Sequence, residues 1–316
     1  MSNVDLKKLI KESIRSLSPY STESIQSEIK LHANESPFPP PKELHDQFTE
    51  FIKSFQLNRY PDPDSKKLKE SIAKKLDTKT ENLVIGNGSD EIILLLLQVF
   101  CKEGDNIIIP DPTFAMYAII AQSLGVKTTI VPLDSSWDFN GNLLLETAEK
   151  NKSRLIFLSY PNNPTGNCFS ETEIIKVIEE FEGIIVLDEA YYDFSQKSFI
   201  NEIKKNNNLI VLRSLSKIGL AAMRVGFGVA NALIIKEINK VRLPYNSNML
   251  SQKFAEHLIN NFQLVQKQID YIIDERKRLT DELKKNKSLT VFPTESNFIL
   301  FKTKQSADEL FYHLLY

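Results

Sequence analysis

The chain has 316 residues, 42% hydrophobic and 25% charged, with a formal net charge of -2. That is enough chain for a large core and two domains, at the ordinary composition of a soluble globular protein. A charge so near zero excludes the basic footprint of a nucleic-acid or anionic-membrane binder, and two cysteines make neither a disulfide framework nor a metal pattern.

Cys101 and Cys168 stand in unrelated contexts and suit a reducing cytoplasm. Cys168 lies near a candidate loop but reads as a bystander thiol. His32, His45, His257 and His313 lack metal-ligand spacing. The first 18 residues are polar, with no apolar stretch of a secretory signal. The longest apolar run, Ile92 to Phe100, is interrupted by Gln98 and is too short to span a bilayer.

Residues 5–17 alternate charge with Leu and Ile at helical spacing, which predicts an N-terminal helix. An extended stretch follows, through Leu31-His32-Ala33-Asn34-Glu35-Ser36-Pro37. The prolines from Pro37 to Pro41 make it an arm laid over something else. A helix over about 42–55 precedes the proline-fixed loop Arg59-Tyr60-Pro61-Asp62-Pro63, where spacing alone reads Tyr60 as locally packed. Asp64 is placed to cap a helix over 65–76.

A strand over 82–85 runs into Gly86-Asn87-Gly88-Ser89-Asp90-Glu91 and a helix, 91–100, that is apolar on all sides. Glycines at a strand-to-helix turn, with exposed amides behind them, make an anion site. The same geometry serves a tight turn capped by Ser89 or Asp90. It is neither a P-loop nor a dinucleotide fingerprint. Next come a strand over 105–109, a helix from Thr113 to about Leu124, and a β-rich run over 126–132. Phe114, just past a strand end, fits either a stack on a planar ligand or the core.

A strand over 154–159 ends in Tyr160-Pro161-Asn162-Asn163-Pro164-Thr165-Gly166, rigid and polar enough to lie at a surface or cleft. A helix over 170–182 has Ser170 as cap and Glu173 completing a capping box. A buried strand over 183–187 ends in Asp188-Glu189-Ala190-Tyr191-Tyr192. Another, 209–212, leads into Arg213-Ser214-Leu215-Ser216-Lys217-Ile218-Gly219-Leu220 and Met223-Arg224-Val225-Gly226. This alternation from 64 to 240 predicts an α/β fold, a mostly parallel sheet covered on both faces. Such sheets bind ligands at the carboxyl ends of their strands. Gly88, Ser89, Asp90, Phe114, Asn163, Asp188, Tyr191, Ser214 and Lys217 all fall just there.

From 248 to about 286 the pattern is one long amphipathic helix with room for a single break. Strands over 288–292 and 296–301 and a helix over 307–314 follow. The expected organisation is an arm (1–40), a large α/β domain (41–246) and a small α+β domain (247–316). A two-stranded sheet with one helix is marginal, so the small domain is expected to be incomplete.

A lysine at the end of a buried strand is open to desolvation, which lowers its pKa and frees the amine for Schiff-base chemistry. Alone, Lys217 also fits a solvated loop lysine. Its companions suit pyridoxal 5′-phosphate. Lys217 would hold the aldehyde, Asp188 would pair with the ring nitrogen, and Asn163 and Tyr191 would bond the ring hydroxyl. Phe114 would cover the ring. Gly88, Ser89 and Asp90, with Ser214, Ser216 and Arg224, would hold the phosphate. Asp188 also fits a turn cap, yet a carboxylate after five apolar residues is costly unless paired.

The ordered set Asn163-Pro164-Thr165-Gly166, Asp188-Glu189-Ala190-Tyr191, Ser214-Leu215-Ser216-Lys217 and Arg224-Val225-Gly226 resembles the fold-type I aminotransferases of classes I and II. The segments 31–37, 59–62 and 86–91, with Ser296-Asn297-Phe298, are similar to the histidinol-phosphate aminotransferase subfamily. The likeness covers about residue 10 to the last residue. It implies that Lys217 forms the Schiff base and carries the proton transfer while Asp188 stabilises the electron sink. Tyr60 would reach the phosphate of the other subunit's cofactor, making a homodimer. Tyr20, Asn34 and Asn297 would lie near the substrate. The implied reaction is ping-pong amino transfer between L-histidinol phosphate and 2-oxoglutarate.

An aromatic amino acid aminotransferase and a threonine-phosphate decarboxylase are the nearest alternatives. From other classes stand an inactive fragment and a non-catalytic effector-binding relative. The subfamily also carries two substrate-binding arginines on further strands. None follows Tyr316, so a C-terminally truncated chain that keeps the cofactor pocket but binds substrate poorly is expected.

Overall fold

The computed structural model describes residues 5–19 and 29–315. Tyr20 lies outside them. Seven strands form one sheet: β1 (Leu83–Asn87), β2 (Asn106–Asp111), β3 (Lys127–Pro132), β4 (Leu155–Ser159), β5 (Ile184–Asp188), β6 (Leu209–Ser214) and β7 (Val225–Ala230). Their order is β1-β7-β6-β5-β4-β2-β3. All pairings from β6 to β3 are parallel, and β7 runs antiparallel to β1 and β6.

Side chains alternate across each strand, and that sorts the core into layers. Ile107, Ile109, Phe157, Val186, Ile210 and Leu212 pack under helices Ser89–Phe100, Met116–Ser123 and Ala232–Val241. Ile108, Ile156, Leu158, Ile185, Leu187 and Val211 pack under helices Gly141–Lys150 and Glu171–Glu180. Both faces are covered, so the central strands read as unbroken apolar runs. Each fully buried Leu or Ile contributes roughly 1.5–3 kcal/mol. Around Leu83, Ile85, Phe227 and Val229, a third cluster gathers helices Lys42–Lys53, Lys66–Leu76, Met249–Asn260 and Gln263–Lys285. Strands β8 (Leu289–Val291) and β9 (Phe301–Thr303) pair antiparallel, and helix Ala307–Leu315 follows. Among the described residues, no helix is long and apolar enough to cross a membrane.

Several local expectations are corrected. The N-terminal helix is two single turns, Leu6–Leu9 and Glu12–Arg15, with nothing buried on either. Turns that short are marginal without packing. The long C-terminal helix does break, between Asn260 and Gln263. The strand expected over 296–301 is displaced to β9. The hydroxyl of Thr294 donates to the Phe298 carbonyl (2.7 Å) and accepts from the Ser296 N–H (3.2 Å), folding 294–298 into a turn.

Helix Ala232–Val241 is unforeseen, and so are two other elements. Helix Gly141–Lys150 starts at Asn140, whose side chain accepts from the Leu143 N–H (3.0 Å). Strand β7 contains Gly226 and Gly228, which weaken its apolar signal. Gly226 is required there: a Cβ would lie 2.4 Å from the Ser89 nitrogen.

Three caps also differ. Glycine, not Ser89 or Asp90, stands at the N-cap of Ser89–Phe100, and no side chain caps that helix. Glu173 closes no capping box, because its carboxylate accepts from the Gly141 N–H (2.5 Å) and ties two helices together. Asp62 replaces Asp64 as the cap before Lys66–Leu76. Its carboxylate accepts from the N–H groups of Asp64 (3.0 Å) and Lys66 (2.9 Å). Gln252 donates to the Asp62 carbonyl (3.0 Å) and Arg242 to the Pro63 carbonyl (2.9 Å), docking the Tyr60 loop.

Asp62→Ala should cost about 1 kcal/mol, the usual value of a side-chain cap. A lower urea midpoint with an unchanged m-value would show it, and an unchanged midpoint would contradict the assignment.

Candidate active site

Strand β6 ends at Ser214, and the chain turns through Leu215 into the single 3-10 turn Ser216–Ile218. The turn is fixed by the Leu215 N–H on the Val225 carbonyl (3.0 Å) and the Ser216 N–H on the Ser214 hydroxyl (3.2 Å). Lys217 rises from it and donates from Nζ to the Ala33 carbonyl (2.8 Å). The arm therefore lies across the lysine. Burial lowers the Lys217 pKa, against the raising pull of Glu35 and Asp90.

On the neighbouring strand, β5 ends in Asp188, only 3% exposed. The hydroxyl of Tyr117 donates to Oδ2 (2.8 Å) and the Ala190 N–H to Oδ1 (3.1 Å). Burial outweighs the lowering pull of the Tyr117 hydrogen bond and leaves the Asp188 carboxyl raised to about 6. Burial also pushes Tyr191 up to about 12. The Tyr191 oxygen accepts from Asn34 Nδ2 (3.1 Å), so its own proton remains free to donate.

The turn at Gly88 completes the edge. Gly88 has φ of +82°, and a Cβ there would lie 2.6 Å from Arg224 Nη2. Arg224 bonds Asp90 (3.0 Å) and reaches the Ser216 hydroxyl (3.5 Å). The helix after Gly88 starts uncapped, leaving its first N–H groups without intrahelical partners. Uncapped amides, hydroxyls and one guanidinium together form an anion cradle.

These groups line one cavity of about 470 Å³, with Ser89, Asp90, Phe114, Asn163, Asp188, Tyr191, Ser214, Ser216, Lys217, Arg224 and Asn34 on its wall. Gly88 lies beneath Arg224. Asn297 is not on the wall; it donates to the Asn34 carbonyl (2.9 Å) and holds the arm. Tyr60 is not on it either: 78% exposed, it stacks on Tyr245 at 4.5 Å. A larger cavity of about 860 Å³ opens beside Arg154, Gly183, Ile184 and Asn208, at the amino ends of the strands. That edge carries none of the gathered groups.

Sequence reasoning missed Tyr117, the Ala33 carbonyl, and the buried pair of Glu189 with Arg213. Tyr117 is the second residue of helix Met116–Ser123, and only the fold brings its hydroxyl to Asp188, 71 residues away. A backbone carbonyl has no sequence signal.

The family pattern of aminotransferase class I and II matches residues 26–316. The chain belongs to the class I and II aminotransferases. A histidinol-phosphate aminotransferase of Thermoanaerobacter sp. (strain X514) is 41% identical over 311 residues, 98% of this chain and 88% of that one. Another, from Caldanaerobacter subterraneus subsp. tengcongensis, is 38% identical over 304 residues, 96% of this chain and 86% of its own length. Among solved structures, the Sinorhizobium meliloti histidinol-phosphate aminotransferase in complex with pyridoxal-5′-phosphate superposes with a TM-score of 0.87. It is 20% identical, and the match covers 95% of this chain and 83% of that one. The Clostridium acetobutylicum histidinol-phosphate aminotransferase gives 0.81 at 29% identity, over 90% of this chain and 85% of that one. This aminotransferase therefore has the fold-type I architecture.

One consequence concerns stability. A carboxyl raised from 3.8 to about 6 binds its proton more tightly folded than unfolded. Its contribution is thus lost as pH rises through that window. Asp188→Asn should raise the melting temperature of the cofactor-free aminotransferase at pH 7.5, with the gain vanishing near pH 4. A gain that persists at pH 4, or a lower melting temperature at pH 7.5, would contradict the burial argument.

Proposed function

We propose that this aminotransferase moves the amino group of L-histidinol phosphate to 2-oxoglutarate, with pyridoxal 5′-phosphate as its cofactor. The observation that carries the cofactor is the shared cavity. It holds a desolvated lysine, a buried carboxylate and a glycine-floored anion cradle, the fit that a phosphorylated aldehyde on a basic ring requires. The substrate rests on the curated relatives, which carry the histidinol-phosphate aminotransferase name at 35–41% identity over 93–98% of this chain.

Pyridoxal phosphate supplies an aldehyde and an electron-withdrawing ring when bound. The chain's residues do the rest. Desolvation keeps a larger share of Lys217 in the neutral, nucleophilic form, and its Nζ is the group placed to take and return a proton. Asp188 is ionised above about pH 6 and accepts a hydrogen bond from a protonated ring nitrogen. Tyr117 and Ala190 hold that carboxylate in direction. Tyr191 stays protonated, and with Asn163 it donates to the ring hydroxyl. Phe114 covers the ring. The amides and side chains of Gly88, Ser89 and Asp90, with Ser214, Ser216 and Arg224, hold the phosphate. Asn34 belongs to the substrate side, Asn297 supports it from behind, and Tyr20 would join them.

The active form is a homodimer in this reading. Leu57 (85% exposed), Tyr60 (78%) and Leu243 (70%) lie on the two segments joined by the Tyr60–Tyr245 stack. An exposed apolar patch of that kind suits a second copy, and in such a dimer Tyr60 would reach the partner's phosphate. The arm (1–40), cofactor domain (41–246) and small domain (247–316) divide the work. A reducing cytoplasm is the compartment in this reading, in keeping with two unpaired cysteines, Cys101 and Cys168.

Added pyridoxal phosphate should give the visible absorption band of a lysine-bound cofactor, lost in Lys217→Ala. No band in the parent chain would sink the cofactor site. Histidinol phosphate with 2-oxoglutarate should yield glutamate faster than phenylalanine or threonine phosphate does. A reversed preference would overturn the substrate while leaving the cofactor site standing.

A further inference from the structure

Behind the catalytic edge lies a buried ion pair with no part in the reaction described so far. Glu189 follows Asp188 and Arg213 precedes Ser214. Side chains alternate along a strand, so when Asp188 and Ser214 face the cavity their neighbours face away from it. Arg213 Nε and Nη2 both reach Glu189 Oε2, at 2.9 and 2.8 Å. The side chains are 8% and 0% exposed. The Ser198 hydroxyl (2.7 Å) and the Phe199 N–H (2.8 Å) also donate to the carboxylate. The Arg213 guanidinium lies 3.2 Å over the ring of Tyr192, next to Tyr191. On the backbone, the Glu189 N–H meets the Leu212 carbonyl at 2.9 Å.

A buried ion pair is a poor way to stabilise a fold, because desolvation can exceed the Coulombic gain. Its specific product is geometry. The fork joins the end of β5 to the end of β6 within one residue of the ring-nitrogen partner and four of the lysine. The Glu189 charge that Arg213 pairs with also bears on Asp188, whose pKa it raises. We propose that Glu189 and Arg213 are positioning residues. They set the spacing between Asp188 and the Lys217 turn and, through Tyr192, the placement of Tyr191. The proposal rests on the roles given above to Lys217 and Asp188.

Arg213→Lys keeps the charge and removes the fork. It should lower kcat by about 10- to 100-fold, the cost of a small misplacement, with KM for the amino donor within about threefold. The band of the lysine-bound cofactor should shift in wavelength or in its pH midpoint, and the cofactor-free melting temperature should stay near the parent's. Where that variant is unstable, Glu189→Gln/Arg213→Gln replaces the buried charges with two amides. It should recover the melting temperature without recovering kcat or the band. The proposal is overturned if either well-folded variant shows the parent's kcat and spectrum, since the pair would then serve stability alone. A Lys217→Ala protein that still forms the band would instead refute the lysine assignment.

Discussion

Asp188 is a carboxylate enclosed by the sheet it terminates, and the site is arranged around keeping it ionisable there. Burial raises its pKa from 3.8 to about 6, a cost of about 3 kcal/mol at neutral pH by the usual conversion. The hydrogen bonds of Tyr117 and Ala190 have already lowered that value, so burial alone would cost more. The cost is strain kept for function, as active sites commonly do. Parallel pairing of β5 with β6 then places the lysine turn beside the carboxylate.

The anion cradle depends on the antiparallel strand. β7 runs back along both β6 and β1, so that Gly226 faces Gly86 in one pairing and Ser214 in the other. Its bare backbone lets the Gly88–Ser89 turn approach, and Arg224 folds over Gly88 at the start of the same strand. A phosphate-sized anion would meet groups from two regions far apart in sequence, 88–90 and 214–224. The arm closes the opposite side, tied down by Lys217, Tyr191 and Asn297.

Much of this was legible in the sequence because strand ends announce themselves. Apolar runs ending at Pro110, Leu158, Leu187 and Leu212 put the reactive residues on one edge by counting alone. Lys217, Asp188, Tyr191 and Arg224 could be gathered before any geometry was known. Long-range partners were not legible. Nothing near Asp188 in sequence points to Tyr117, and nothing near Lys217 points to the carbonyl of Ala33. Local competition produced the other errors: Asp62 and Asp64 are equally plausible caps, and only the fold shows which reaches Lys66. Gly226 and Gly228 hid a strand whose backbone contact made glycine necessary.

The central claim is that one lysine of many has been desolvated to carry the cofactor. Borohydride reduction of the protein loaded with pyridoxal phosphate, followed by peptide mapping, tests it directly. The account predicts a single stoichiometric adduct on Lys217. An adduct spread over exposed lysines, or concentrated on partly buried Lys69 or Lys75, would contradict it.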